Sequence, residues 1–75
     1  MRTIYYVVSP QLESIDDIQE CNGWKDVSLY EVEDGAMVSI GFFTMLMAEE
    51  TYKEVSTYLE EDYSLDLEKI RLIQL

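Results

Sequence analysis

The chain has 75 residues, 16 of them Asp or Glu against 5 Lys or Arg and no His, which gives a formal net charge of −11 and a pI near 4.1. That is enough for one domain, residues 1–75, and too little for two; a domain this small buries only about 60% of the surface its unfolded chain exposes. One Cys excludes a disulfide scaffold, no apolar run approaches the roughly 18 residues of a membrane-spanning helix, and so negative a field repels nucleic acid and other polyanions.

The chain starts Met1-Arg2-Thr3-Ile4-Tyr5-Tyr6, without the apolar run and small-residue cleavage site of a secretory signal. The expectation is a cytoplasmic protein, in which Cys21 stays reduced as a small buried hydrophobe. Residues Thr3 to Ser9 (TIYYVVS) are aromatic and β-branched and predict a strand. Ser9-Pro10 then offers a helix cap and a first helical residue. Leu12, Ile15 and Ile18 make one apolar stripe, with Glu13, Asp16, Asp17 and Glu20 on the other side. Asn22-Gly23 is a helix stop, so the pattern predicts a first helix over residues 10–22.

Asp26 to Glu33 (DVSLYEVE) predicts a second strand and Ala36 to Thr44 (AMVSIGFFT) a third, joined by Asp34-Gly35, a two-residue turn of the kind that closes tight hairpins. Simple alternation along the third strand puts Val38, Ile40 and Phe42 on one face and Met37, Ser39, Gly41 and Phe43 on the other. A second helix follows, with Ala48, Tyr52, Val55 and Leu59 as its inward stripe and Glu49 and Glu50 in its first turn. Its start is open between a cap at Thr44 and a strand prolonged through Met45 to Met47; its end falls near Asp62. Tyr63 to Asp66 reads as a loop, and Lys69 to Gln74 (KIRLIQ) as a last strand.

Strand, helix, strand, strand, helix, strand with a central hairpin is the ferredoxin-like β-α-β-β-α-β arrangement: α+β, a four-stranded antiparallel sheet with two helices on one face. The other face is then bare. Met37, Phe43 and Met45 are expected on it, with Tyr5 and Val7 or Tyr6 and Val8 from the first strand, and Ile70 and Leu72 or Arg71 and Ile73 from the last. So apolar a face predicts homodimer or partner contact through Met37 and Phe43.

No enzymatic pattern emerges. There is no His, no GxSxG, no phosphate loop and no GxGxxG, and the acids fall on helix faces and loops. Glu60 to Glu68 is rich in oxygen ligands but lacks the calcium-loop spacing, so no metal, no cofactor and no catalytic residue is expected. The same element order builds the RRM domain, with Tyr5-Tyr6 and Phe42-Phe43 where that family stacks bases. The basic-Gly-aromatic start of its third-strand motif is missing and cations are scarce, so these aromatics read as core or dimer contacts. Regulatory domains of the ACT type share the topology, which leaves as the alternative a small regulatory or adaptor module that binds a ligand or protein through the bare sheet.

The acids carry the leading expectation. Glu13/Asp17 and Asp16/Glu20 are like-charged i,i+4 pairs with no cation between Pro10 and Trp24, and only Lys53 stands against Glu49, Glu50, Glu54, Glu60, Glu61 and Asp62. A sequence tuned only for solubility mixes both signs. Carboxylates four residues apart on a helix lie about 6 Å apart along the axis, a rough imitation of the phosphate rows of duplex DNA, whose charges repeat at about 3.4 Å per nucleotide along the axis of each strand. In size and charge the chain resembles the small acidic DNA-mimic inhibitors encoded by phages and mobile elements. That resemblance implies a non-enzymatic inhibitor of a basic DNA-binding host protein, with Glu13, Asp16, Asp17, Glu20, Glu49, Glu50, Glu54, Glu60 and Glu61 as the contact residues. It implies no direct binding of nucleic acid or membrane.

Overall fold

The computed structural model describes residues 2–11 and 23–75. The aromatic and β-branched N-terminal run forms β1 (Arg2–Gln11). A hairpin follows, β2 (Trp24–Glu33) and β3 (Ala36–Leu46), turning on Asp34 and Gly35 with φ of 51° and 81°. Both turn residues are left-handed, as a two-residue hairpin turn matched to strand twist requires, and Gly supplies one of them without strain. Helix α1 (Thr51–Asp62), one 3₁₀ turn (Leu67–Lys69) and β4 (Ile70–Gln74) complete the described chain.

The strands lie in the order β3-β2-β1-β4. β1 and β2 pair antiparallel, β2 and β3 pair antiparallel, and β1 and β4 pair parallel. This mixed sheet overturns the ferredoxin-like expectation. That fold places β1 and β2 apart and joins them by a helical crossover; here they are antiparallel neighbours from Tyr5↔Tyr30 to Gln11↔Trp24. The described residues hold one α-helix, not two. The predicted first helix begins at Pro10, yet Pro10 and Gln11 extend β1; the rest of that prediction, with Cys21, lies outside the described residues. Proline is tolerated there because β4 pairs with β1 only from Arg2 to Tyr6, so the missing N–H at Pro10 interrupts no second ladder.

β3 and β4 run in the same direction at opposite edges, so α1 must carry the chain over β2 and β1. The chain must move sideways by three strand spacings, about 14 Å, and back along β1 from Gln11 to Arg2, about 30 Å; the twelve helical residues span about 18 Å, and the connections on either side of the helix cover the rest. The inward residues of α1, Val55 and Leu59, close over Ile4 and Tyr6 of β1, Val27 and Leu29 of β2 and Met45 of β3, and these seven are the buried core among the described residues. No polar or charged residue is buried among the described ones. Tyr52, expected in this stripe, is exposed; the tyrosine of α1 that packs against the core is instead Tyr58, one residue before Leu59. Met45 and Leu46 prolong the strand rather than starting the helix, which begins at Thr51.

A β-bulge decides the faces of β3. Leu29 pairs with Gly41 and Tyr30 with Ser39, so Ile40 is the extra residue. Alternation is therefore broken. Met37 and Ser39 share a face with Phe42, Thr44 and Leu46, whereas Phe43 and Met45 turn to the helix. Phe43 does not join Met37 on the bare face: its ring centroid is 4.7 Å from that of Tyr58 on α1. Tyr58 meets Tyr63 edge-on at 5.5 Å, and the two hydroxyls donate to the carbonyls of Phe42 and Ile40. Both rings sit where a side chain at position 41 would go; a Cβ there would be 2.7 Å from the Tyr63 hydroxyl and 3.2 Å from the Tyr58 ring. Gly41 thus permits the bulge and the aromatic clamp together.

Candidate functional site

Sheet parity sorts the surface into two sides. On the open side, opposite α1, lie Tyr5 and Val7 of β1, Trp24, Tyr30 and Val32 of β2, Met37, Phe42 and Leu46 of β3, and Ile73 of β4. The alternatives left by the sequence resolve accordingly: Tyr5 and Val7, and Arg71 and Ile73, face outward, while Tyr6, Val8, Ile70 and Leu72 pack toward the helix. Trp24, Val32, Met37, Phe42 and Leu46 are each between 45% and 58% exposed, so this face keeps about half of its large apolar side chains in contact with water. Polar groups on it are tied together. Gln11 Nε2 (2.6 Å) and Thr44 Oγ1 (3.1 Å) both donate to Oδ1 of Asp26, linking three strands.

Of the Asp and Glu residues in the described segments, Asp26 is the only one on this face, and Arg71 is its only cation. All other described acids lie on the helix side, on α1 or at turns. Glu49 and Glu50 are exposed in the connection before α1, Glu54 is half-buried in its first turn, and Glu60 and Glu61 are exposed in its last. Glu50, Lys53, Thr57, Glu60, Glu61 and Leu67 border an open depression of about 400 Å³. Glu13, Asp16, Asp17 and Glu20 lie outside the described residues.

Glu54 in the first turn of α1 suits the helix dipole, but the acids at the other end run against helix stability. Glu60, Glu61 and Asp62 occupy the last turn, where the negative end of the helix dipole disfavours anions, and no basic residue accompanies them there. Glu50 sits at the N-cap without a side-chain capping bond. No carboxylate of α1 forms an ion pair among the described residues. The single ion pair among the described residues is Arg2 with Glu31, a forked contact of 2.6 and 2.5 Å. The hydrogen bond from Arg2 holds the Glu31 carboxyl below its ordinary range, against burial, which pushes it up. Lys25 is engaged elsewhere: its Nζ donates to the carbonyls of Met47 (3.2 Å) and Glu49 (3.0 Å), which holds the turn from β3 into α1. Under the helix, burial raises the Tyr6 phenol, with Tyr52 adding to the shift.

Among the described residues no group of three or more His, Cys, Asp or Glu side chains comes together to hold a metal. No described helix is long and apolar enough to cross a membrane. The open face is only half legible in the sequence: the pattern places Met37 there, but not Trp24, Phe42 or Leu46. The signal for the last two is Gly41, since a glycine inside a strand marks a bulge and a change of parity. The chain matches no protein-family model, no curated protein and no solved structure.

Proposed function

We propose that the protein is a non-enzymatic inhibitor that occupies the basic, nucleic-acid-binding surface of another protein through its acidic side, in the manner of a DNA mimic. What carries this reading is the last turn of α1. Glu60, Glu61 and Asp62 stand where the dipole penalises them, unrelieved by any ion pair among the described residues. Each such placement costs a few tenths of a kcal/mol or more, and a binding role accounts for keeping them. Glu50 and Glu61 are eleven residues apart, so the row runs for about 16 Å along the helix. Pairing with Lys and Arg releases counterions and makes the affinity fall steeply with salt.

The test is displacement of a fluorescent DNA duplex from a panel of basic DNA-binding domains at rising salt. Displacement is expected at low salt and is lost at several hundred millimolar. Glu60→Gln/Glu61→Gln/Asp62→Asn, and separately Asp16→Asn/Asp17→Asn/Glu20→Gln, each weaken it while the fold persists. Salt-indifferent binding, or full potency in both variants, overturns the reading. A second reading, an adaptor that binds through the open sheet, is favoured by the five half-exposed apolar side chains there. It predicts the reverse pattern: charge changes nearly silent, and Phe42→Glu abolishing capture of the partner.

A further inference from the structure

We propose that the open sheet face is where the chain pairs with a second copy of itself, sheet against sheet. Charge selects this occupant. Two chains of −11 repel each other, and among the described residues the open face is the approach that brings the fewest acids of one copy against those of the other. The open face carries one described acid, Asp26, and one cation, Arg71, so two such faces meet without net charge. A basic partner is drawn to the helix side instead, and a polyanion to neither.

Geometry then protects the pair. Two packed sheets lie about 10 Å apart, and each helix layer lies roughly another 10 Å outward. The anionic helices end up about 30 Å apart, several times the Debye length of about 8 Å at physiological salt. The area is sufficient. Three strands of ten or eleven residues and one of five give a projected face of about 550 Å² per copy at the usual rise and strand spacing. Two faces hide about 1,100 Å² in projection, and more once side-chain relief is counted, against the roughly 1,200 Å² at which specific interfaces begin. The side chains are of the types that interface cores favour. Trp24 and Leu46 pair at one end of the face, Phe42 lies near its middle beyond Asp26 and Thr44, and Val32 and Met37 pair at the hairpin end.

Trp24 is the chain's only tryptophan and lies on this face, so its emission reports the contact directly. The sedimentation mass of the full chain is expected to rise from the monomer mass of 8.8 kDa at low micromolar concentration to twice that mass at millimolar concentration, with Trp24 emission shifting to the red on dilution. Phe42→Glu raises the dissociation constant at least 100-fold, and Leu46→Lys at least tenfold. Tyr52→Ser, an equally exposed aromatic on the other side, leaves it within twofold. Added salt leaves association unchanged or strengthens it, opposite to the acidic side's behaviour. Circular dichroism checks each fold; should Phe42→Glu unfold, Leu46→Lys and the wild-type dilution series carry the test. A folded wild type that stays at 8.8 kDa at millimolar concentration overturns the proposal. So does a dimer that survives both substitutions.

Discussion

The two faces of this sheet come from the same four strands, one residue out of step. Toward α1, Ile4, Val27 and Leu29 are wholly removed from water by Val55 and Leu59. One position along, on the open side, Val32, Phe42 and Trp24 keep half their surface or more in it. The residue types hardly differ. What differs is the cover: one twelve-residue helix crosses one face, and no described element crosses the other. The charged groups follow the cover rather than the hydrophobicity, since all the described acids but Asp26 avoid the open face although that face is the more exposed. An ordinary solvated sheet face carries polar and charged residues alternating with the buried set. The acid-poor, aromatic face seen here departs from that pattern, and it is the face that we propose a second copy covers.

The contrast can be broken most forcefully by deletion on each side. Leu59→Ala removes a fully buried anchor and should cost about 2–5 kcal/mol in urea unfolding. Leu46→Ala on the open face, measured at low micromolar concentration, should stay within about 0.5 kcal/mol. Equal losses would mean the open face is already covered in solution.

The bulge that sets the faces of β3 comes next. Gly41→Ala drives a methyl into the Tyr63 hydroxyl and the Tyr58 ring, and should cost about 1–3 kcal/mol. In a Tyr63→Phe background the closest obstacle is gone, so the cost of Gly41→Ala should shrink; a double-mutant cycle reads the difference. Additive effects would show that the rings do not constrain the bulge.

Lys25→Met tests how the covered side is tethered. It removes the two bonds to Met47 and Glu49 and should cost about 1–2 kcal/mol. Hydrogen exchange should speed first at the start of α1, not in the β2–β3 hairpin.

The smallest effect belongs to Arg2 and Glu31. The folded-state pKa of Glu31 lies below its unfolded value, so the pair adds stability above the unfolded carboxylate pKa and loses it as pH falls through the folded one. Both side chains are partly exposed, which limits their coupling to about 0.2–1 kcal/mol at neutral pH. A cycle of Arg2→Met and Glu31→Gln should show that coupling at pH 7 and a smaller one as the pH falls through the folded-state pKa of Glu31.

Much of the local structure is written in the chain. The Asp34-Gly35 hairpin stands where two residues with positive φ are demanded. Val55 and Leu59 face inward as their spacing requires, and α1 ends at Asp62. The last strand spans Ile70–Gln74, within a residue of its expected start. Three features go otherwise, each for a nonlocal reason. Pro10 reads locally as a helix start, but a long antiparallel partner draws it into β1. Tyr52 shares the helical period, but the position of α1 on the sheet turns Tyr58 inward instead. Phe43 alternates with Met37 on paper, but the extra residue at Ile40 moves it across the sheet.

Composition and periodicity determined how acidic this chain is, where most of its described strands and its described helix lie, and which residues are apolar enough to be core. Those signals are local: they depend on φ preference and on the two-residue and 3.6-residue repeats. Strand order, the parallel pairing of β4 with β1, and the choice of which apolar face receives the helix came only with the tertiary structure. Pairing energy is shared between strands distant in sequence, and a single bulge reverses the parity of everything beyond it.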